Sequence, residues 1–425
     1  MIKKIPVLLT IFFSVVTYSQ KLNSSPYSFF GIGDQISLKS VEESGMGNMG
    51  GTLDSKYQLS FTNPASYASL KYTTYVFAGG NKATSFDDGN DKQTSSHASL
   101  NYIAMGIPIR GNQAMTFGLQ LNTAVGYSLL DQKYGTIDDV EEIIEANLYK
   151  GTGGTNRAFL GYGYQFPFNL NLGVEAAYFF GEIDNSILNR QLGVELATKY
   201  QVDSYVKGFE FKTGALYKQK IKENLEVKLG TALTIGHDLK NEGDEYLFSL
   251  DNRSDGIVIP RDTLYSNPHK TTISYPLRTV VSAGVGEENK WFIGAEYSFM
   301  DAIDFNGNLY ENQDKYSYDE SSMISLGGFY LPKHNSIRSY WDRVTYRAGF
   351  NYKKYGLIIN DTEIDDYGMS FGVSLPMGVK LSNVNMGIEL GKRGDTTNNL
   401  VEEKYFNFRL SLSLNDIWFR KRVLD

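Results

Sequence analysis

The feature that most limits what this chain can fold into is a two-residue alternation of apolar and polar side chains, sustained over segments of about ten residues. In the clearest segment Phe406, Phe408, Leu410, Leu412 and Leu414 alternate with Asn407, Arg409, Ser411 and Ser413. A strand puts these two sets on opposite faces, whereas a helix would scatter the apolar set around its circumference. Met115, Phe117, Leu119 and Leu121 repeat the pattern, as do Leu225, Val227, Leu229 and Leu233, and Met369, Phe371, Val373 and Leu375. Counted this way, fourteen strands run from near 72–83 to near 404–415. An even number suits an antiparallel barrel with both termini on one side.

Such strands need an environment for their apolar face. After residue 19 no apolar run approaches the ~20 residues of a spanning helix. In lipid the only other way to satisfy the backbone is a closed barrel. Composition agrees: 30 Tyr, 25 Phe and 42 Gly, with a mean hydropathy of −0.31, suit a wall shared between lipid and a polar lumen. The expected fold is all-β, a 14-stranded antiparallel transmembrane β-barrel over residues 72–415 followed by a basic tail at 416–425. Lys3 and Lys4, the apolar run Ile5–Val16, and Thr17 and Ser19 ahead of Gln20 predict a cleaved signal peptide over residues 1–19, and hence export to the cell outer membrane. The chain has no cysteine, so a lipidated cysteine, a disulfide and a thiolate metal site are excluded. Its net charge of −7, or −9 without Lys3 and Lys4, argues against nucleic acid as a partner.

The connections alternate in length. Tight breaks at Arg110–Gln113, Pro167–Asn169, Lys222–Asn224 and Glu287–Lys290 predict periplasmic turns. The intervening connections are polar and run to roughly twenty or thirty residues, as outer loops would. Within them Asp138–Leu148 reads as a short acidic helix, and Asn241–Lys270 as the longest excursion. Pro332–Arg343 is long for a periplasmic turn, and Gly356–Glu363 short for an outer loop. Trp291, Trp341 and Trp418 all fall at predicted periplasmic ends, where an interfacial aromatic girdle belongs.

Residues 20–71 lack alternation and precede the first strand. Fourteen strands enclose a lumen wider than their own side chains fill, so this segment is predicted to fold back inside as a hatch or plug. Gly45, Gly47, Gly50 and Gly51 match the letters of a dinucleotide loop but have no buried strand before them, so close packing against the wall is the better use of these glycines. Glu175, Lys212, Glu226, Lys228, Glu296, Arg347, Lys353, Glu389 and Arg409 fall on the polar side of their strands and must face water, the plug or one another. His97, His237, His269 and His334 lie on four separate segments without metal-ligand spacing, and neither a metal nor a cofactor is predicted. His237-Asp238 could form an acid/histidine pair of a membrane-barrel hydrolase, though a polar rim is the plainer reading; Asp87–Asp91 could hold calcium, but more simply caps a turn.

Pro26–Asp34 (PYSFFGIGD), Gly45–Gly51 and Asn63-Pro64-Ala65 together resemble the N-terminus of FadL-like outer-membrane transporters, most closely the branch found in Bacteroidetes. The closing Leu412–Arg422 resembles the final strand and basic tail of that branch. The resemblance implies a glycine-rich hatch ending in Asn63-Pro64-Ala65 ahead of a fourteen-stranded barrel. It further implies uptake of hydrophobic or amphipathic small molecules, of long-chain fatty-acid type, that leave sideways through a kinked strand. A non-enzymatic channel in contact with outer-membrane lipid and a hydrophobic small-molecule ligand is therefore the first functional expectation. The alternative is an accessory barrel within a larger outer-membrane secretion or assembly complex, with other outer-membrane proteins as partners.

Overall fold

The computed structural model describes residues 24–418 apart from 138, 223, 253–257, 307–315 and 379–381. The predicted signal peptide and the tail beyond Trp418 lie outside the described residues. Fourteen strands close into one antiparallel barrel. In chain order they are β1 Thr73–Asp87, β2 Lys92–Arg110, β3 Gln113–Ile137, β4 Val140–Gln165, β5 Leu170–Gln191 and β6 Leu196–Lys220. Four interrupted strands follow: β7 Leu225–Thr234 with His237–Asn252, β8 Val258–Tyr275 with Arg278–Glu287, β9 Trp291–Met300 with Asp304–Asn306, and β10 Tyr316–Tyr318 with Ser321–Tyr330. The wall ends with β11 Thr345–Ile359, β12 Thr362–Met377, β13 Ser382–Arg393 and β14 Glu402–Asp416, and β14 pairs with β1 to close it.

The surfaces are inverted relative to a water-soluble domain. Phe209 and Phe211 on the outer face are 62% and 54% exposed, whereas Arg157 and Arg393 on the inner face are 1% and 2% exposed. An outer face of this kind is stable only against lipid. Trp291, Trp341 and Trp418 sit at the periplasmic ends of β9, β11 and β14, and the Trp418 ring packs edge-on against Tyr75.

The long outer loops expected from the sequence are instead extensions of the strands. Of Asp138–Leu148, expected as an acidic helix, Asp138 lies outside the described residues and 139–148 form the tip and outer part of the β3–β4 hairpin, with Tyr134 opposite Ile143 and Leu130 opposite Leu148. Helical spacing of Val140, Ile143, Ile144 and Leu148 loses to the ladder, because β4 finds backbone partners on both β3 and β5 there. Asn241–Lys270 likewise lies mostly within β7 and β8. The short β11–β12 connection is a two-residue turn, with Asn360 and Asp361 both at positive φ. At 26 residues, ~3.3 Å per residue and a tilt of ~40°, β4 stands ~65 Å tall against an apolar band of ~25 Å.

Two irregularities shape the wall. β2 and β3 are paired only from Tyr102–Gln120 to Arg110–Gln113, and further out β2 pairs with β1 alone. Register slips at Asn101 on β2 and Asn122 on β3 mark the point of separation. Across the barrel, β7, β8, β9 and β10 are each interrupted, and β11 slips between Lys354 and Ile358, forming a continuous line of breaks.

Candidate functional site

Residues 24–70 lie inside the barrel as two layers, a floor toward the periplasm and a roof toward the outside. The floor begins with a one-turn helix, Val41–Ser44, capped by Ser40 and Glu43 in a reciprocal box. The Glu43 carboxylate then accepts bonds from Ser60 Oγ at 2.6 Å and Thr62 Oγ1 at 2.7 Å, tying two stretches of floor together. Asn63 caps the 3-10 turn Pro64–Ser69 by accepting from the Ala65 N–H at 3.0 Å, and its amide donates to the carbonyls of Gly51 and Ala215. The Asn-Pro-Ala triplet is thus a cap, a ring that fixes φ, and a small residue against the wall.

The floor meets the wall backbone to backbone. A Cβ on Gly173 would land on the Pro64 carbonyl, one on Gly230 on the Gly51 carbonyl, and one on Gly349 on the Met46–Gly47 peptide; Gly45 lies against Gly372. Wall charges hold the remainder. Glu296 accepts from the N–H groups of Gly50 and Gly51 at 2.9 and 2.6 Å and pairs with Lys39 at 2.9 Å. Glu175 accepts from Tyr67 Oη at 2.5 Å and pairs with Lys212 and Arg157, whose guanidinium also reaches Glu210. Asp54 sits between Lys218 and Lys228, and Glu226 pairs with Lys228 at 3.6 Å. Glu389 accepts from Asn48, and Arg409 donates to Ser44. Arg347 donates to Ser374 Oγ, which donates to Asn385, whose amide in turn bonds Glu42 of the floor.

The roof is apolar and aromatic. Tyr27, Phe29, Phe30 and Ile32 pack against Val125, Tyr127, Phe179, Val206, Leu239 and Ile273 on one side and Leu357 and Ile364 on the other. Its polar anchor is Arg393, which pairs with Asp34 and Glu403 at 2.7 and 2.6 Å and lies over the Tyr27 and Tyr355 rings. Asp34 and Gln35 add a short strand to the free edge of β3, opposite Ala124 and Thr123.

Between the layers lies a chamber of about 290 Å³. Ile36–Lys39 and Thr62 form its base, and Asn101 and Asn122, at the parting of β2 and β3, form part of its side. His237 also lines it, stacked between Phe179 and Tyr275. Asp238 points the other way and accepts from Ser274, so adjacent positions on one strand keep this pair apart and no acid/histidine dyad forms. The carboxylates of Asp87 and Asp88 are taken up by Lys92 and by backbone N–H groups of their own turn. Among the described residues no group of three acidic or histidine side chains could hold a metal.

The sequence left Arg157, Glu210, Arg393 and Asp34 unassigned. Glu210 shares the face of Lys212 two residues on, and Arg157 that of Phe159, so strand parity could have found both. Asp34 and Arg393 are 359 residues apart and meet only because the roof lies beside the outer end of β13.

A family model named BamG matches residues 1–425, the whole length. The chain belongs to the BamG family. Comparison with curated protein sequences gives no match. Among solved structures this BamG-family barrel resembles the Pseudomonas putida toluene transporter TodX at 15% identity and TM-score 0.59, covering 89% of this chain and 98% of that one. A Pseudomonas aeruginosa FadL homologue gives 12% identity and TM-score 0.58 over 91% and 99%. The Ralstonia pickettii toluene transporter TbuX gives 13% and 0.56 over 88% and 98%. At these identities the likeness is one of fold.

Proposed function

We propose that this protein is an outer-membrane channel for small hydrophobic or amphipathic molecules, which pass from the chamber sideways into the membrane between β2 and β3. The observation that carries this reading is a chamber with a floor below and a roof above, beside which β2 and β3 part at the register slips of Asn101 and Asn122. A solute with apolar surface gains by leaving into lipid and not into periplasmic water. The floor, held by the buried charges of Glu296, Glu175 and Asp54, blocks the axial route while leaving that side exit. Solved proteins of the same fold named as toluene transporters support the choice of cargo class.

The absence of native cysteine makes the test direct. Asn101→Cys and Asn122→Cys, joined by a reversible bifunctional thiosulfonate, should abolish uptake of labelled toluene and 4-butylbenzoate into cells, and reduction should restore it. Unchanged uptake in the cross-linked barrel would overturn the side exit.

A second reading, an accessory barrel in a larger outer-membrane complex, is favoured by the hairpins β3–β8, which rise far above the apolar band and offer a large outer surface. Purification of the tagged protein in mild detergent should then bring a stoichiometric partner with it, and migration only as a monomer counts against that reading.

A further inference from the structure

Two cations in the chamber differ from the other charges there in lacking a paired counter-charge among the described residues. Among the chamber carboxylates Asp34 is held by Arg393 and Lys82, Glu210 by Arg157, Glu389 by Arg409 at 3.7 Å, and Asp366 accepts from Tyr405. Of the cations, Lys39 is held by Glu296 and Lys212 by Glu175. Among the described residues Arg278 and Lys353 have no carboxylate within ion-pairing distance, and the Lys353 ammonium lies over the Tyr355 ring at 3.6 Å from its centroid. The acidic groups that act on Arg278 from further off are Glu210 and Glu296, and those on Lys353 are Asp366 and Asp34; all four are engaged as described. Both side chains line the cavity, and Arg278 is exposed.

Their placement on the wall is ordered. Arg278 on β8 is the direct cross-strand neighbour of Met300 on β9, and Lys353 on β11 that of Met323 on β10. Four adjacent strands therefore present, in sequence around the inner face, a guanidinium, two thioethers and an ammonium. Met300 and Met323 are each 9% exposed and supply a soft, deformable apolar surface between the charges. The stripe lies beside the line of strand breaks: Arg278 follows the break at Pro276-Leu277, Met300 precedes that at Asp301, and Lys353 precedes the slip in β11.

We infer that this stripe is a binding site for a small amphipathic anion, its carboxylate or other oxyanion drawn to Arg278 and Lys353 and its apolar body lying on Met300 and Met323. An uncompensated cation in a confined cavity keeps a large part of its hydration only while the site is empty of anions; an oxyanion can replace that water with charge-assisted hydrogen bonds. The chamber's volume lies just below the ~300–1,000 Å³ that holds drug-sized ligands, which favours monoaromatic or short-chain acids over long acyl chains. This deepens the channel reading and rests on it for the route by which the anion reaches the chamber, but not for the binding itself.

The test is equilibrium binding to the purified full-length barrel in detergent, comparing 4-butylbenzoate with the neutral 4-butylbenzyl alcohol. The wild type should prefer the acid by about 10- to 100-fold, the range for charged hydrogen bonds. Arg278→Met and Lys353→Met should each remove most of that preference while leaving affinity for the alcohol within about twofold, with unchanged melting of the barrel as the control for folding. Equal affinity for acid and alcohol in the wild type, or a preference that survives in both variants, would overturn the inference. Binding with no cellular uptake would instead sink the channel reading and leave the site standing; uptake of toluene without acid preference would do the reverse.

Discussion

Glu296 offers the sharpest perturbation of the floor. Its carboxylate, fully buried, takes the N–H groups of Gly50 and Gly51 on one oxygen and the Lys39 ammonium on the other. In Glu296→Gln the amide oxygen can still face the two glycine N–H groups, but without charge, and the amide nitrogen then faces Lys39 as donor against cation. Lys39, 13% exposed at its side chain, keeps only Thr62 Oγ1. Losing one buried ion pair and the charge on two hydrogen bonds costs about 2–4 kcal/mol. That cost falls on the floor, since none of the strand-to-strand ladder bonds of β9 involves this side chain. Local opening of the Gly45–Leu53 stretch should rise by about 30- to 1,000-fold, read as faster amide exchange of peptides covering residues 45–53, while exchange in β9 and the barrel's melting temperature stay close to wild type. The roof is anchored elsewhere, so closure of the outer end should persist. Wild-type exchange rates at residues 45–53 in the variant would refute the claim that this carboxylate locks the floor.

Two further outcomes follow from the same contacts. Gly173→Ala puts a methyl on the Pro64 carbonyl, so it should destabilise the seated floor by about 1–3 kcal/mol and expose it to protease. Gly111→Ala, with nothing within 4 Å of its added Cβ, is the control, and equal protease resistance of the two variants would refute the close fit. Burial pushes the Asp34 carboxyl up, but Arg393 and Lys82 outweigh it and hold the group at about 2, below its ordinary 3.8. A depressed carboxyl stabilises the fold above its unfolded value and loses that contribution as pH falls through the folded one. Asp34→Asn should therefore cost about 2 kcal/mol near pH 7 and progressively less from pH 4 toward pH 2. A cost that does not change with pH, measured by denaturant unfolding, would rule out the ion pair as its source.

The alternation of side chains by itself determined the fold: period two over ten residues admits only strands, and apolar faces without spanning helices admit only a closed wall in lipid. The same parity put Glu175, Lys212, Lys228, Glu296, Glu389 and Arg409 on the inner face, because a strand's two sides are fixed by counting. Counting fails where both faces meet water. The outer halves of β3 to β8 carry polar residues on either side, so Asp138–Leu148 was legible only as helical spacing, and pairing with β3 and β5 made Val140–Leu148 strand. Tertiary structure alone decided which wall charges the N-terminal segment would occupy, that the segment would form a roof as well as a floor, and that β2 and β3 would part between Asn101 and Asn122. Each depends on contacts between residues up to several hundred positions apart, and on a free β3 edge that Asp34 and Gln35 then take up. The absence of a paired counter-charge at Arg278 and Lys353 is of the same kind, since it depends on which side chains the closed wall and the N-terminal segment bring near them.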